Sequence, residues 1–325
     1  MGYLEEQLTT LHAYLPDLTR RPDFDAFWRE TRHKADCVPL RPTREVHAFP
    51  GNAADVYDIS FRGFDETPIH GWYLVPKGLR AEDRVPCLIH YHGFTGHRGF
   101  PAEFLQWVSL GVSVLSVDCR EQGGMTGNEA AFSSGYATNV ACKGILDKNE
   151  YYFRAVYMDC VKAIDLALAQ PETDSTRIII EGGSQGGALG MAVCSLDARP
   201  WLAMVDVPSN SHLAKRVANG NGSFSSVTDY LKMWPQHLER ALDTLSYFDT
   251  MNLADRIRCP VFASVALRDT VCPADCYFAS YNRIHAEKEI RVYPFNGHEG
   301  GGPHHNEAKM NWLWQRLGTT RPADG

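Results

Sequence analysis

The sequence predicts an α/β fold, a mostly parallel, doubly wound sheet with helices on both faces, formed as a single domain over residues 1–325. Three observations carry that expectation. From Cys87 onward, short apolar runs alternate with helical stretches, the pattern of parallel strands joined by crossover helices. Several of the runs, Ile178-Ile179-Ile180 among them, are continuously apolar, as strands covered on both sides must be. No internal repeat or low-complexity linker divides the chain.

Taken in order, the elements justify themselves. Asp23 is a candidate N-cap for Phe24, Phe27 and Trp28 at helical spacing, so residues 1–45 read as a helical extension laid before the sheet. VYDISFRG and IHGWYLVP alternate as strands, and residues 63–68 between them form a hairpin connection. CLIHYHG is a strand, FPAEFLQWVSLG a helix stopped by Gly111, and VSVLSVDCR another strand. Phe153, Tyr157, Cys160, Ile164 and Leu168 share one face of a helix over 151–170. Strand WLAMVDVP, strand CPVFASVALRD, helix PADCYFASYNRI and strand EIRVYPF continue the alternation, and a last helix carries Met310, Leu313, Trp314 and Leu317. Residues 209–257 interrupt it with a mostly helical stretch broken at Pro235, too long for a crossover. That stretch reads as a cap or interface insertion, because Tyr230, Leu231, Trp234, Tyr247 and Phe248 give it more apolar surface than a solvated loop carries.

Composition narrows the function classes. Hydrophobic content of 44% supports a large core, and a net charge of −7 argues against nucleic acid or an anionic membrane as partner. The start, MGYLEEQLTTLHAYL, has acidic residues where a secretion signal needs basic ones, Glu6 breaks the myristoylation pattern, and no apolar run approaches membrane-spanning length. The nine cysteines are odd in number and scattered, and Cys272 and Cys276 lack a second pair for zinc. Reduced thiols in a cytoplasmic protein, with no metal and no cofactor, are expected.

The chemistry concentrates in Gly182-Gly183-Ser184-Gln185-Gly186-Gly187, a G-x-S-x-G nucleophile elbow between a strand and a helix. Gly182 and Gly186 let strand and helix approach, and the helix start turns the Gln185 amide toward the hydroxyl, where it can receive an oxyanion. A serine needs an oriented base, and in this arrangement an acid and then a histidine follow at the ends of later strands. Asp269 ends VFASVALRD, and His298 sits on a Gly-rich loop after EIRVYPF. His92-Gly93-Phe94 follows CLIHY and offers the Phe94 amide as the second oxyanion donor, with Gly93 allowing the turn. His92 itself reads as a loop-packing residue, and His304 and His305 read as surface or capping positions.

These residues, together with YHGFTGHRGFP, Arg120-Glu121-Gln122-Gly123, Leu267-Arg268-Asp269 and His298-Glu299, resemble the acetyl xylan esterase / cephalosporin C deacetylase family, carbohydrate esterase family seven. The resemblance runs from FDAFWRET to the HEGGG loop. It implies an α/β-hydrolase fold and removal of acetyl groups from short xylo-oligosaccharides and from the cephalosporin side chain. It implies Ser184, Asp269 and His298 as a triad, Phe94 and Gln185 as the oxyanion hole, and Arg120, Gln122 and Glu299 as supporting motif residues. It further implies a cytoplasmic hexamer whose active sites face an internal chamber, and a small acyl pocket that Phe94 and Val271 could wall. One position departs from the pattern. Glu121 stands where the family has glycine, so a positive φ there would be strained. A broader short-chain carboxylesterase and an acyltransferase remain alternatives, with a peptidase or a non-catalytic binding protein further off.

Overall fold

A computed structural model describes residues 2–135 and 138–318. Nine strands form one sheet: β1 (Thr43–His47), β2 (Ala54–Arg62), β3 (Pro68–Pro76), β4 (Val85–Tyr91), β5 (Ser113–Val117), β6 (Thr173–Gly183), β7 (Pro200–Asp206), β8 (Val261–Ala266) and β9 (Lys288–Tyr293). Their order across the sheet is β1-β2-β3-β5-β4-β6-β7-β8-β9. The hairpin of β2 and β3 pairs antiparallel with Arg62 opposite Pro68, and from β5 through β4 to β9 every neighbour is parallel.

Alternation along the central strands divides the core into two layers. Ile89, Ile178, Ile180, Ala203 and Val205 face the larger layer, covered by helices Phe24–Asp36, Tyr152–Leu168 and Gln185–Leu196 and by the insertion. Leu88, Ile179, Leu202 and Met204 face the smaller one, which Trp107 and Val108 share with Trp312 and Leu313 of the last helix, Gly302–Gly318.

Two expectations are corrected. The helical extension does not reach residue 45, because Thr43–His47 is an edge strand paired antiparallel with β2. Its side chains are almost all exposed, so the apolar alternation that marks a strand is missing from its sequence. The region before it holds two helices, Tyr3–Ala13 and Phe24–Asp36, joined by a non-helical segment.

The second correction concerns the aromatics of the insertion. Tyr230, Tyr247 and Phe248 are buried in the chain's own core, and Leu231 packs against it in part. Their cover comes from far away in sequence. Phe24 stacks on Tyr247 at 5.8 Å between ring centroids, Phe27 meets it edge-on at 4.9 Å, and Trp28 Nε1 donates to Tyr247 O at 3.2 Å. The exposed apolar remainder is Met233, Trp234 and Leu238.

Candidate active site

At the end of β6 the chain turns into helix Gln185–Leu196 through Ser184, whose φ of 58° and ψ of −117° are a strained combination for a side-chain-bearing residue. The glycines on either side make this turn possible. A Cβ at Gly186 would lie 1.8 Å from Tyr91 O, and one at Gly182 would lie 2.6 Å from the same atom. The backbone is fixed from the neighbouring strand as well, since Ser184 N donates to Asp206 O at 2.8 Å and Ser209 N donates to Ser184 O at 2.9 Å.

The three residues expected to act together are in contact. His298 Nε2 lies 2.9 Å from Ser184 Oγ, and His298 Nδ1 lies 2.8 Å from Asp269 Oδ2. With Nδ1–H donating to the carboxylate, Nε2 is left to accept the serine proton. The other carboxylate oxygen, Asp269 Oδ1, accepts from Val271 N and Cys272 N, both at 2.8 Å, so the acid is fully committed. Glu299 steadies the histidine loop, accepting from Gly297 N at 3.1 Å and Asn296 Nδ2 at 3.0 Å. Its own backbone amide, together with those hydrogen bonds, holds its carboxyl below the usual range.

Gln185 is the first residue of its helix, so its amide has no intrahelical acceptor. The Phe94 loop faces it across the elbow. A Cβ at Gly93 would stand 4.0 Å from Ser184 Cβ, which places the loop directly over Ser184. Gly93 does not make the turn possible, because the left-handed residue is Thr95, with φ of 64°. What Gly93 provides is open space beside the hydroxyl.

Arg120 and Gln122 work from below. Arg120 is fully buried, with Nε and Nη2 paired to the two oxygens of Asp159 at 2.7 and 2.8 Å and Nη1 to Asp65 at 2.8 Å. Burial disfavours its charge, but these carboxylates outweigh that and push the guanidinium further up. Gln122 Oε1 accepts from Thr95 N at 2.8 Å, and its Nε2 donates to Gln185 Oε1 at 2.9 Å. One amide side chain therefore ties the Phe94 loop to the residue after Ser184. Glu121, between them, does have a positive φ, of 57°. Its carboxylate is held by Asn128 Nδ2 at 2.8 Å and by Lys143.

His92 packs the loop, as expected. Its Nε2 accepts from Cys119 N at 2.8 Å, its Nδ1–H donates to Gly93 O at 2.7 Å, and burial pushes it down to about 4. His305 corrects the sequence reading, since it is buried rather than a surface position. It belongs to a chain of charged groups behind the elbow, on the face of the smaller core layer. His305 Nε2 meets Asp206 at 2.7 Å, Lys309 Nζ meets both Asp206 and Glu181 at 2.6 Å, and His90 Nδ1 meets Glu181 at 2.6 Å. Burial works against the ionised Glu181, yet Lys309 and His90 hold its carboxyl far below the usual range. Sequence reasoning missed this cluster. Its signal was there: His90, Glu181 and Asp206 continue the Leu88, Ile179 and Met204 faces at the strand ends, where an apolar residue should stand.

Phe94, on the loop after β4, is partly exposed, and Val271, on the turn after Asp269, is exposed. A cleft of about 570 Å³ between helix Tyr3–Ala13 and residues 267–275 reaches Asp269, with Tyr3, Glu6 and Pro273 in its walls.

Sheet order, elbow and site geometry define the chain as an α/β-hydrolase. A Pyrococcus furiosus esterase, 19% identical with a TM-score of 0.56, has the same fold over 86% of this chain and 99% of its own. Within that class the chain belongs to the acetyl xylan esterase family, whose model matches residues 1–316, and it is a carboxylic ester hydrolase. It is similar to the acetyl xylan esterase of Paenibacillus sp. R4, at 39% identity and a TM-score of 0.91 over 94% of this chain and 98% of that one. Acetyl xylan esterase 1 of Thermoanaerobacterium sp. JW/SL YS485 is 30% identical, with a TM-score of 0.88 over 95% and 98%. An acetyl esterase of Xylanibacter ruminicola is 28% identical over 93% of this chain and 69% of its own length.

Proposed function

We propose that this esterase removes acetyl groups from small substrates, short acetylated xylo-oligosaccharides and cephalosporin C-like esters, through an acyl-enzyme on Ser184. The observation that carries the reading is the unbroken hydrogen-bond series Ser184–His298–Asp269 at a strained elbow. Ser184 Oγ attacks the ester carbonyl carbon while His298 Nε2 takes its proton, and Asp269 stabilises the imidazolium that forms. The carbonyl oxygen, now negative, is received by the amides of Phe94 and Gln185. Collapse expels the sugar alcohol, which takes the proton back from His298, and water then repeats the sequence on the acetyl-serine.

Phe94 and Val271 wall a pocket sized for acetyl, so kcat/KM falls steeply from acetate to butyrate. The exposed Met233, Trp234 and Leu238 support contact between subunits of a cytoplasmic homo-oligomer, a hexamer by family resemblance, whose chamber excludes polymer. Acetate release from acetylated xylo-oligosaccharides, cephalosporin C, polymeric xylan and a p-nitrophenyl ester series tests the reading. Fast release from the first two with little from polymer is expected. Comparable rates on acetate and octanoate would make the enzyme a broad carboxylesterase instead.

A further inference from the structure

Arg216, on helix Leu213–Asn219 of the insertion, is buried in a way no other cation of the site is. It is 1% exposed, yet among the described residues no carboxylate stands within ion-pair distance of it. Arg120 and Lys309, the other buried cations beside the elbow, each hold two carboxylates, while Lys162 and Arg154, away from it, are held by carbonyls and a hydroxyl. Arg216 has instead a carbonyl and a thiol: Nη2 donates to Val271 O at 2.9 Å and Nη1 meets Cys272 Sγ at 3.4 Å. Among the described residues its Nε has no acceptor, and the Phe224 ring lies 5.2 Å from the guanidinium carbon. This is a buried guanidinium with no ion-pair partner among the described residues and one unsatisfied donor, an arrangement disfavoured unless something offsets it.

Both of its partners lie on the turn at 270–272, whose amides hold Asp269 Oδ1. Asn221 Nδ2 donates to Thr270 O at 3.0 Å, and a Cβ at Gly222 would come within 2.9 Å of both Arg216 Nη2 and Val271 O, so the insertion is fitted to this turn. Beyond the guanidinium, Cys272 Sγ is 3.9 Å from Ser184 Oγ. The charged and titratable groups around it are Asp269 and Cys272 on the turn, Asp249 from the end of the insertion, Cys276 and Asp275 on helix Ala274–Tyr281, and Lys215 of its own helix, which pairs with Asp275. Ser184 and His298 lie across Cys272.

We propose that Arg216 is a positioning residue of the active site: its guanidinium closes the 270–272 turn around Asp269 and places a fixed positive charge behind Ser184, where negative charge develops during acyl transfer. The inference rests on Ser184 being the nucleophile. It gives the insertion a role inside each subunit, apart from any contact between subunits.

The test compares wild type, Arg216→Met, Arg216→Lys and Ser184→Ala on p-nitrophenyl acetate, with thermal melts and pH profiles for each. Arg216→Met is expected to lose 10- to 100-fold in kcat (about the span of one such electrostatic contact) with KM within about twofold of wild type. The acidic limb of its kcat/KM profile should move up by about one pH unit, because removing a nearby positive charge makes the base easier to protonate. Arg216→Lys keeps the charge and should restore the limb and most of kcat. A folded Arg216→Met with wild-type kcat would overturn the proposal, as would two variants equally slow with an unmoved limb, the signature of packing alone. If Arg216→Met does not fold, Arg216→Lys decides: a wild-type limb supports the proposal, and activity at the Ser184→Ala background contradicts it. Full activity in Ser184→Ala would instead remove the nucleophile assignment, a separate failure.

Discussion

The elbow and the insertion at 209–257 both shape the surroundings of Ser184, and they are built by opposite means. In the elbow the backbone does the work. Gly182 and Gly186 leave no room for a Cβ against Tyr91 O, and the strained Ser184 backbone is held by Asp206 at the end of β7 and by Ser209 just beyond it. In the insertion side chains do the work, with Arg216 and Asn221 reaching the 270–272 turn and Asp249 tying the insertion's own end to His212. The difference teaches where a sequence speaks clearly. Backbone demands select glycine at fixed spacing and can be read locally, whereas side-chain contacts depend on partners that only the fold supplies.

The sharpest way to break this comparison is to put a Cβ on each side of Ser184. Gly186→Ala collides with backbone 1.8 Å away and is expected to lose about 3 kcal/mol or more of stability, or to fail to fold. Gly93→Ala meets nothing closer than 3.8 Å and should melt near wild type, while losing activity because the methyl fills the space over Ser184. Melting curves and p-nitrophenyl acetate turnover read both. A stable Gly186→Ala would mean the elbow can relax.

A side-chain anchor can be tested by pH. Asp197, paired with Arg32 of the N-terminal region and with Arg199, is buried, which opposes its charge, but the two guanidinium groups lower it to about 2. A carboxylate lowered on folding adds stability above its unfolded pKa, near 3.8, and loses it as pH falls toward about 2. Asp197→Asn should therefore be less stable at pH 7 by about 2 kcal/mol. That gap should close as pH falls from about 4 to about 2, as urea titrations at several pH values would record. A gap that persists at pH 2 would assign the loss to packing.

The smallest expected effect is at Glu121, where both rules meet. Its positive φ costs about 1 kcal/mol, and its contacts with Asn128 and Lys143 return a similar amount. Glu121→Ala keeps the strain and loses the contacts, so it should melt below Glu121→Gly by the equivalent of about 1 kcal/mol. The reverse order would show that the turn is not strained.

Legibility in the sequence follows the same division. The parallel strands, the hairpin, the elbow and the order serine, acid, histidine could be read because each is marked by an apolar run or by glycine. Edge strand β1 could not, since it buries almost nothing. Tyr247 and Phe248 read as surface because the helix that covers them, Phe24–Asp36, lies more than 200 residues earlier. Arg216 gave no usable signal, as an isolated charge usually faces solvent and nothing local says otherwise, whereas the Glu181–Lys309–Asp206 cluster was marked only by two carboxylates standing on strand faces where apolar residues belong.

The nucleophile is tested most directly by trapping it. Treating wild type and Ser184→Ala with a fluorophosphonate and mapping the adduct by peptide mass spectrometry, alongside acetate release from an acetylated xylo-oligosaccharide, gives one clear result. A single adduct on the peptide bearing Ser184, absent from a folded Ser184→Ala whose acetate release has fallen by several orders of magnitude, is the outcome predicted here. An adduct on another residue, or a Ser184→Ala that still releases acetate at a rate near wild type, would contradict it.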